Sequence, residues 1–108
     1  MAMIKKVGVI GSGQMGNGIA HVAALAGFDV VLNDVSLDRL KSAMATINGN
    51  LSRQVTKKII TEDARKQALD RIVSAETMEG LADCDIVIEI DEVLEATMAS
   101  GFSTAQTS

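Results

Sequence analysis

Residues 5–34 read KKVGVIGSGQMGNGIAHVAALAGFDVVLND, and Gly11, Gly13, Gly16 and Gly18 fall within eight positions of that stretch. Glycine costs roughly 0.5–1 kcal/mol relative to alanine inside a regular element, so a cluster of this kind has to serve turn geometry or a close backbone approach. An apolar run, VGVI at residues 7–10, precedes it and suits a buried strand. From Gln14 the period changes: Met15, Ile19, Val22 and Ala26 recur at 4, 3 and 4, which predicts an amphipathic helix with that stripe facing the core. Asn17, His21 and Ala24 then fall on the opposite side, and Gly27 stands where a helix would end.

DVVLN, residues 29–33, reads as a second buried strand ending at Asp34. Strand, glycine turn, helix and strand within about 30 residues form a βαβ unit, whose crossover is expected to be right-handed. Ser36 is a plausible N-cap for a long helix carrying Leu37, Leu40, Met44, Ile47, Leu51 and Val55 on one stripe. Thr61 caps a second helix over EDARKQALDR, with Glu62 and Asp63 in its first turn. IVSA at 72–75 is a short strand, TMEGLADC a short helix or turn, and DIVIEI at 85–90 another buried strand. The span between Asp34 and Ile72 exceeds what one crossover helix needs, so a helical hairpin is inserted there. The expected fold is a Rossmann-like α/β parallel sheet in the order 3-2-1-4, over residues 1–90. Residues 91–108 are expected to be an atypical tail, a helix followed by a frayed end.

The glycines at 11, 13 and 16 match G-x-G-x-x-G. That pattern alone is weak, but here it follows a strand, opens a helix and is followed after 23 residues by an acid at the next strand end. Gly11 would permit the tight turn, Gly13 the approach to a pyrophosphate, and Gly16 the packing of helix on strand. Asp34 would accept hydrogen bonds from the adenosine ribose and repel a 2′-phosphate, which indicates NAD rather than NADP. FAD uses the same fingerprint, and the bland alternative is a tight turn beside a solvated strand-end acid. Asn33 and Gln14 read as loop and helix-start residues on these grounds alone.

Composition removes other classes. Of 108 residues, 10 are basic and 14 acidic, for a net charge of −4, and two phenylalanines are the only aromatics, which disfavours nucleic-acid binding. No apolar run approaches a membrane span, and Lys5 and Lys6 are not followed by a signal-peptide core, so a cytoplasmic protein is expected. The lone cysteine, Cys84, is expected to be a small buried apolar residue; with His21 as the only histidine, no zinc-like cluster exists. His21 is expected on the helix face away from the core, without an acid to orient it for catalysis. Arg53, Lys57 and Lys58 read as a solvated basic face at a helix end or, more sharply, as a contact for a phosphate-bearing ligand.

VGVIGSGQMGNGIAHVAALAGFDVVLNDVS, the long insertion and LADCDIVIE together resemble the NAD-binding domain of 3-hydroxyacyl-CoA dehydrogenases, particularly the bacterial 3-hydroxybutyryl-CoA type, over residues 3 to about 89. The resemblance implies hydride transfer between NAD and a 3-hydroxyacyl-CoA. It places Gly11, Gly13, Gln14, Met15 and Gly16 around the pyrophosphate and Asp34 on the adenosine ribose, and it favours contact between Lys57 or Lys58 and the phosphates of coenzyme A. Where the family reads VIEA, this chain has Ile90, and DEVLEATMASGFSTAQTS does not resemble the family continuation. The family's catalytic histidine and its acidic partner map to nothing here. The chain looks like the first four strands of a six-stranded sheet with an altered tail, expected to be inactive alone. DIVIEI would then be an open apolar edge, so homo-oligomerisation through it or the tail is expected. A self-associating assembly protein with a vestigial nucleotide site is the alternative.

Overall fold

The computed structural model describes residues 3–90. Strand β1 (Lys6–Ile10) leads through a glycine turn to helix α1 (Gln14–Leu25) and strand β2 (Asp29–Asn33). A helical hairpin follows, α2 (Leu37–Thr56) and α3 (Glu62–Arg71), then β3 (Ile72–Ala75), a 3-10 turn (Met78–Leu81) and β4 (Ile86–Glu89). All strand pairs are parallel and the order is β3-β2-β1-β4, as the sequence predicts.

The caps explain where the hairpin begins and turns. The Ser36 hydroxyl accepts from the Arg39 N–H at 3.2 Å, and Thr61 accepts from Ala64 N–H at 3.1 Å, each worth about 1 kcal/mol. Leu40, Ala43, Ile47 and Leu51 form the buried stripe of α2. Arg71 donates to the Ala24 carbonyl at 2.9 Å, which also accepts from the Gly27 N–H at 3.1 Å, so α3 is tied to the end of α1.

Strand alternation divides the sheet into two faces. Val7, Val9, Val30 and Leu32 join the core under the helices. On the opposite face, residue 8 looks onto Leu81 and Cys84, and Val31 onto Gly80. Cys84 is only partly buried rather than enclosed. Desolvation, the largest influence on its thiol, raises the pKa.

Three expectations about burial are corrected. The face of α1 that meets the sheet is Gly16, Ala20 and Ala24, not the Met15, Ile19, Val22 and Ala26 stripe; Val22 is 67% exposed. Small residues win because helix and sheet approach so closely at the glycine turn that larger side chains fit only on the outer flank. His21 therefore turns inward, buried, with Nε2 and Gln54 Oε1 2.9 Å apart across to α2. Strand β4, read from its apolar run as buried, is exposed at Ile86, Val87 and Glu89, in keeping with the open edge also expected for it, because β1 is its only strand partner among the described residues. The expected tail, residues 91–108, lies outside the described residues.

Candidate functional site

The sequence numbering of the strands reverses direction at β1, between β2 and β4, and ligand crevices of open parallel sheets form at such a point, beyond the carboxyl ends of the strands. Three backbone bonds assemble that end here: Gly11 N–H to Asn33 carbonyl at 2.8 Å, Asp34 N–H to Ala75 carbonyl at 3.2 Å, and Ile90 N–H to Ile10 carbonyl at 2.9 Å. The resulting crevice of about 180 Å³ is lined by Ile10, Gly11, Asn33, Asp34, Val35, Arg39 and Ile90.

The glycine turn is fixed by two crowded positions. Gly11 has φ +103°, which side chains rarely adopt, and a Cβ there would stand 2.8 Å from the Ile90 carbonyl oxygen. A Cβ on Gly16 would collide with the carbonyl oxygen of Gly11. Gly13 is the N-cap of α1 in extended conformation, and its lack of a side chain leaves no capping oxygen to compete for the helix start.

Asp34 is buried at the end of β2 and its carboxylate is densely bonded. Oδ2 accepts from the Ser12 N–H at 3.1 Å and the Ser12 hydroxyl at 2.8 Å, and Oδ1 accepts from the Ser36 N–H at 3.1 Å. Arg39 Nε lies 3.5 Å from Oδ2. Burial pushes the Asp34 pKa up, but the bonds from Ser12 and Ser36, with the Arg39 charge, outweigh it and hold the carboxyl below its usual range. Asp34 is therefore ionised at neutral pH.

A second depression, of about 700 Å³, runs from the glycine turn along the gap between α1 and α2. Ser12, Gly13, Gln14, Asn17, Arg39 and Asn50 are among its lining residues, so Arg39 borders both spaces. Arg53 donates to Asn50 at the far end of this groove. Lys57 is the C-cap of α2 and Lys58 follows with φ 62°; both are exposed, one turn beyond Arg53, and neither lines the groove.

The structure thus brings Gly11, Gly13, Gln14 and Asp34 to one end of the sheet. Gly16 is packed against Gly11 instead of lining either space, and Met15 lines an apolar depression with Ile19, Val22 and Phe28. Asn33 is structural: its amide donates to the Ala75 and Thr77 carbonyls at 3.0 and 3.1 Å. Ser12 and Arg39 are site residues that the sequence did not single out. A serine between two glycines and an arginine one turn after an N-cap carry no periodic signal; only their convergence on Asp34 shows them.

The donor set fits a dinucleotide: a turn stripped of side chains where a diphosphate would approach, and an ionised acid at the neighbouring strand end. Among the described residues no group of His, Cys, Asp and Glu could hold a metal ion, and no helix is long and apolar enough to cross a membrane.

Comparison with known proteins agrees. The model of the 3-hydroxyacyl-CoA dehydrogenase NAD binding domain matches residues 6–98, reaching beyond Ile90. A 3-hydroxybutyryl-CoA dehydrogenase of Bradyrhizobium diazoefficiens is 78% identical over 88 residues, covering 82% of this chain and 30% of that protein. A 3-hydroxyadipyl-CoA dehydrogenase of Escherichia coli is 39% identical over 89 residues, covering 82% of this chain and 19% of the other. The crystal structure of an Escherichia coli 3-hydroxybutyryl-CoA dehydrogenase superposes with TM-score 0.81 at 37% identity, over 97% of this chain and 22% of that one. The (S)-3-hydroxybutyryl-CoA dehydrogenase of Ralstonia eutropha gives TM-score 0.80 at 33% identity, over 94% and 37%. The chain spans about 30% of the length of the 3-hydroxybutyryl-CoA dehydrogenases of Bradyrhizobium and Deinococcus that it matches. A matching family model, high identity and a shared fold all converge on the same group: the chain belongs to the 3-hydroxyacyl-CoA dehydrogenase family, as an NAD-binding domain.

Proposed function

We infer that this chain holds NAD for a 3-hydroxybutyryl-CoA dehydrogenase or another 3-hydroxyacyl-CoA dehydrogenase. The observation that carries this is the ionised Asp34 at the end of β2, beside a turn that admits no Cβ at Gly11 or Gly16. Gly11, Gly13 and Gln14 receive the pyrophosphate at the start of α1, and Asp34 accepts from the adenosine ribose. Gly16 acts by letting α1 pack close to the turn, and Met15 flanks the helix start. When bound, NAD supplies the hydride acceptor for the 3-hydroxyl of the acyl-CoA.

This chain's own contribution is to bind and orient the cofactor. Turnover requires protein that the chain does not span, so the domain alone is inactive. Arg53, Lys57 and Lys58 form a basic end of the hairpin that suits the phosphates of coenzyme A, with Arg53 joined through Asn50 to the groove between α1 and α2. The setting that fits is fatty acid metabolism in the cytoplasm. The exposed β4 favours self-association, since an edge that no described strand pairs offers a row of backbone groups to another chain. The same exposure supports the second reading, a self-associating assembly protein whose nucleotide site is vestigial.

Amide NMR during titration with NAD tests the first reading. With half of the cofactor's contacts available, the expected dissociation constant is roughly 0.1–1 mM. Shifts clustered at residues 11–18 and 34 support it; no shifts by about 5–10 mM NAD, tenfold above the weakest affinity expected, leave self-association as the better account. Reduction of NAD by 3-hydroxybutyryl-CoA with the purified chain alone would overturn the claim of inactivity.

A further inference from the structure

Asp34 has little acceptor capacity to spare. An ionised carboxylate offers about four lone-pair positions. Ser12 N–H, Ser12 hydroxyl and Ser36 N–H take three of them, and Arg39 Nε makes a looser ionic contact beside Oδ2. The two backbone donors are fixed by the path of the chain, and Ser12 is buried. Arg39 differs in each respect: its contact of 3.5 Å is too long for a good hydrogen bond, and its side chain is 50% exposed. It is the donor that an arriving ribose hydroxyl displaces at least cost.

Displacement leaves the guanidinium close by. Arg39 borders both the crevice and the groove, and among the described crevice-lining residues Asp34 and Arg39 are the only charged side chains. The described lining is therefore neutral overall, although its strand-end residue is an aspartate. Asp38, the other charged residue nearby, lines the groove and not the crevice. A guanidinium presents a planar fork of N–H donors that matches phosphate oxygens.

We propose that Arg39 sets the nucleotide selectivity of this site by offsetting the repulsion of Asp34 toward a 2′-phosphate on the adenosine ribose. This rests on the NAD-binding reading and refines it: NAD is preferred, NADP is admitted, and the ratio is governed by Arg39 together with Asp34. The full 108-residue chain is titrated with NAD and with NADP by calorimetry, unaltered and as Arg39→Gln and Arg39→Lys. Arg39→Gln is expected to weaken NADP about fivefold or more while NAD stays within about twofold, the scale of a partly exposed ion pair. Arg39→Lys, which keeps the charge, restores most of the NADP affinity. An equal change for both nucleotides, an unchanged ratio, or no NADP binding to the unaltered chain while NAD binds would overturn the role of Arg39 alone. Binding of neither nucleotide would overturn the cofactor reading as well. Retained NAD binding shows that each variant has folded.

Discussion

The carbonyl oxygen of Gly11 occupies the space where a side chain on Gly16 would begin. That single relationship closes the glycine turn onto the first turn of α1 and sets how near the helix lies to the sheet. Because the obstacle is backbone, it cannot move aside as a flexible side chain could. Gly16→Ala is expected to cost about 3 kcal/mol or more, a large part of the roughly 5–15 kcal/mol that holds a small domain folded. Urea titration by circular dichroism checks this; a midpoint matching the unaltered chain would show that the turn can open.

Asp34→Ala removes the acceptor of two buried Ser12 donors and the candidate partner of the ribose. Stability is expected to fall by about 1–3 kcal/mol, and NAD affinity by about tenfold. Oligomeric state should not change. NAD affinity equal to that of the unaltered chain would remove Asp34 from the site.

The pH dependence follows from the sign of the Asp34 shift. Its folded pKa lies below the ordinary 3.8, so the unfolded chain takes up the proton first as pH falls. The stabilisation is full above 3.8 and is lost as pH drops through the lower folded value. Asp85, which accepts from the N–H groups of Lys5 and Lys6, shifts in the same direction. Asp34→Asn should therefore flatten, without abolishing, the loss of stability below about pH 4, read from urea midpoints across that range. An identical slope with and without the carboxylate would contradict the bonding described for Asp34.

The two faces of α1 make opposite predictions. Val22→Ser on the exposed flank should change stability by no more than about 0.5 kcal/mol. Ala20→Leu on the sheet side should cost about 1–3 kcal/mol by overpacking. Thermal melts of the two variants check the orientation, and a reversed ranking would restore the Met15, Ile19, Val22 and Ala26 stripe as the core face.

On β4, Val87 is 45% exposed beside an edge that no described strand covers. Val87→Lys should reduce self-association, since a lysine on an open edge disfavours strand addition. Light scattering at about 100 μM, where association-prone chains show themselves, should move toward the monomer with NAD binding retained. A strictly monomeric unaltered chain would exclude the edge as an interface.

The boundaries of the hairpin were legible because they depend on nearest neighbours in the chain, and the order of the strands because a βαβ unit behind a glycine turn follows the Rossmann-like pattern. Ser36 and Thr61 cap the next turn of backbone, and the hydrophobic period of Leu40, Ile47 and Leu51 is read within one helix. Gly11, Gly13 and Asp34 were legible for a similar reason: a phosphate-binding turn needs those residue types at a fixed spacing within one βαβ unit. The inward turn of His21 was not legible, since both flanks of α1 carry apolar residues and only the closeness of the sheet selects Gly16, Ala20 and Ala24.

The sequence by itself determined the elements, their order and the glycine turn, because each follows from local sterics, capping and periodicity. Tertiary structure decided the electrostatic state of the site. Ser36 and Arg39 follow Asp34 closely in the chain and reach it through the local path into α2, but Ser12, in the turn after β1, meets Asp34 only after β1 and β2 pair. The charge of Asp34 could be read from the sequence. The two bonds from Ser12 could not, because a contact between residues 22 apart is set by distance in space and carries no trace in the linear order of residues.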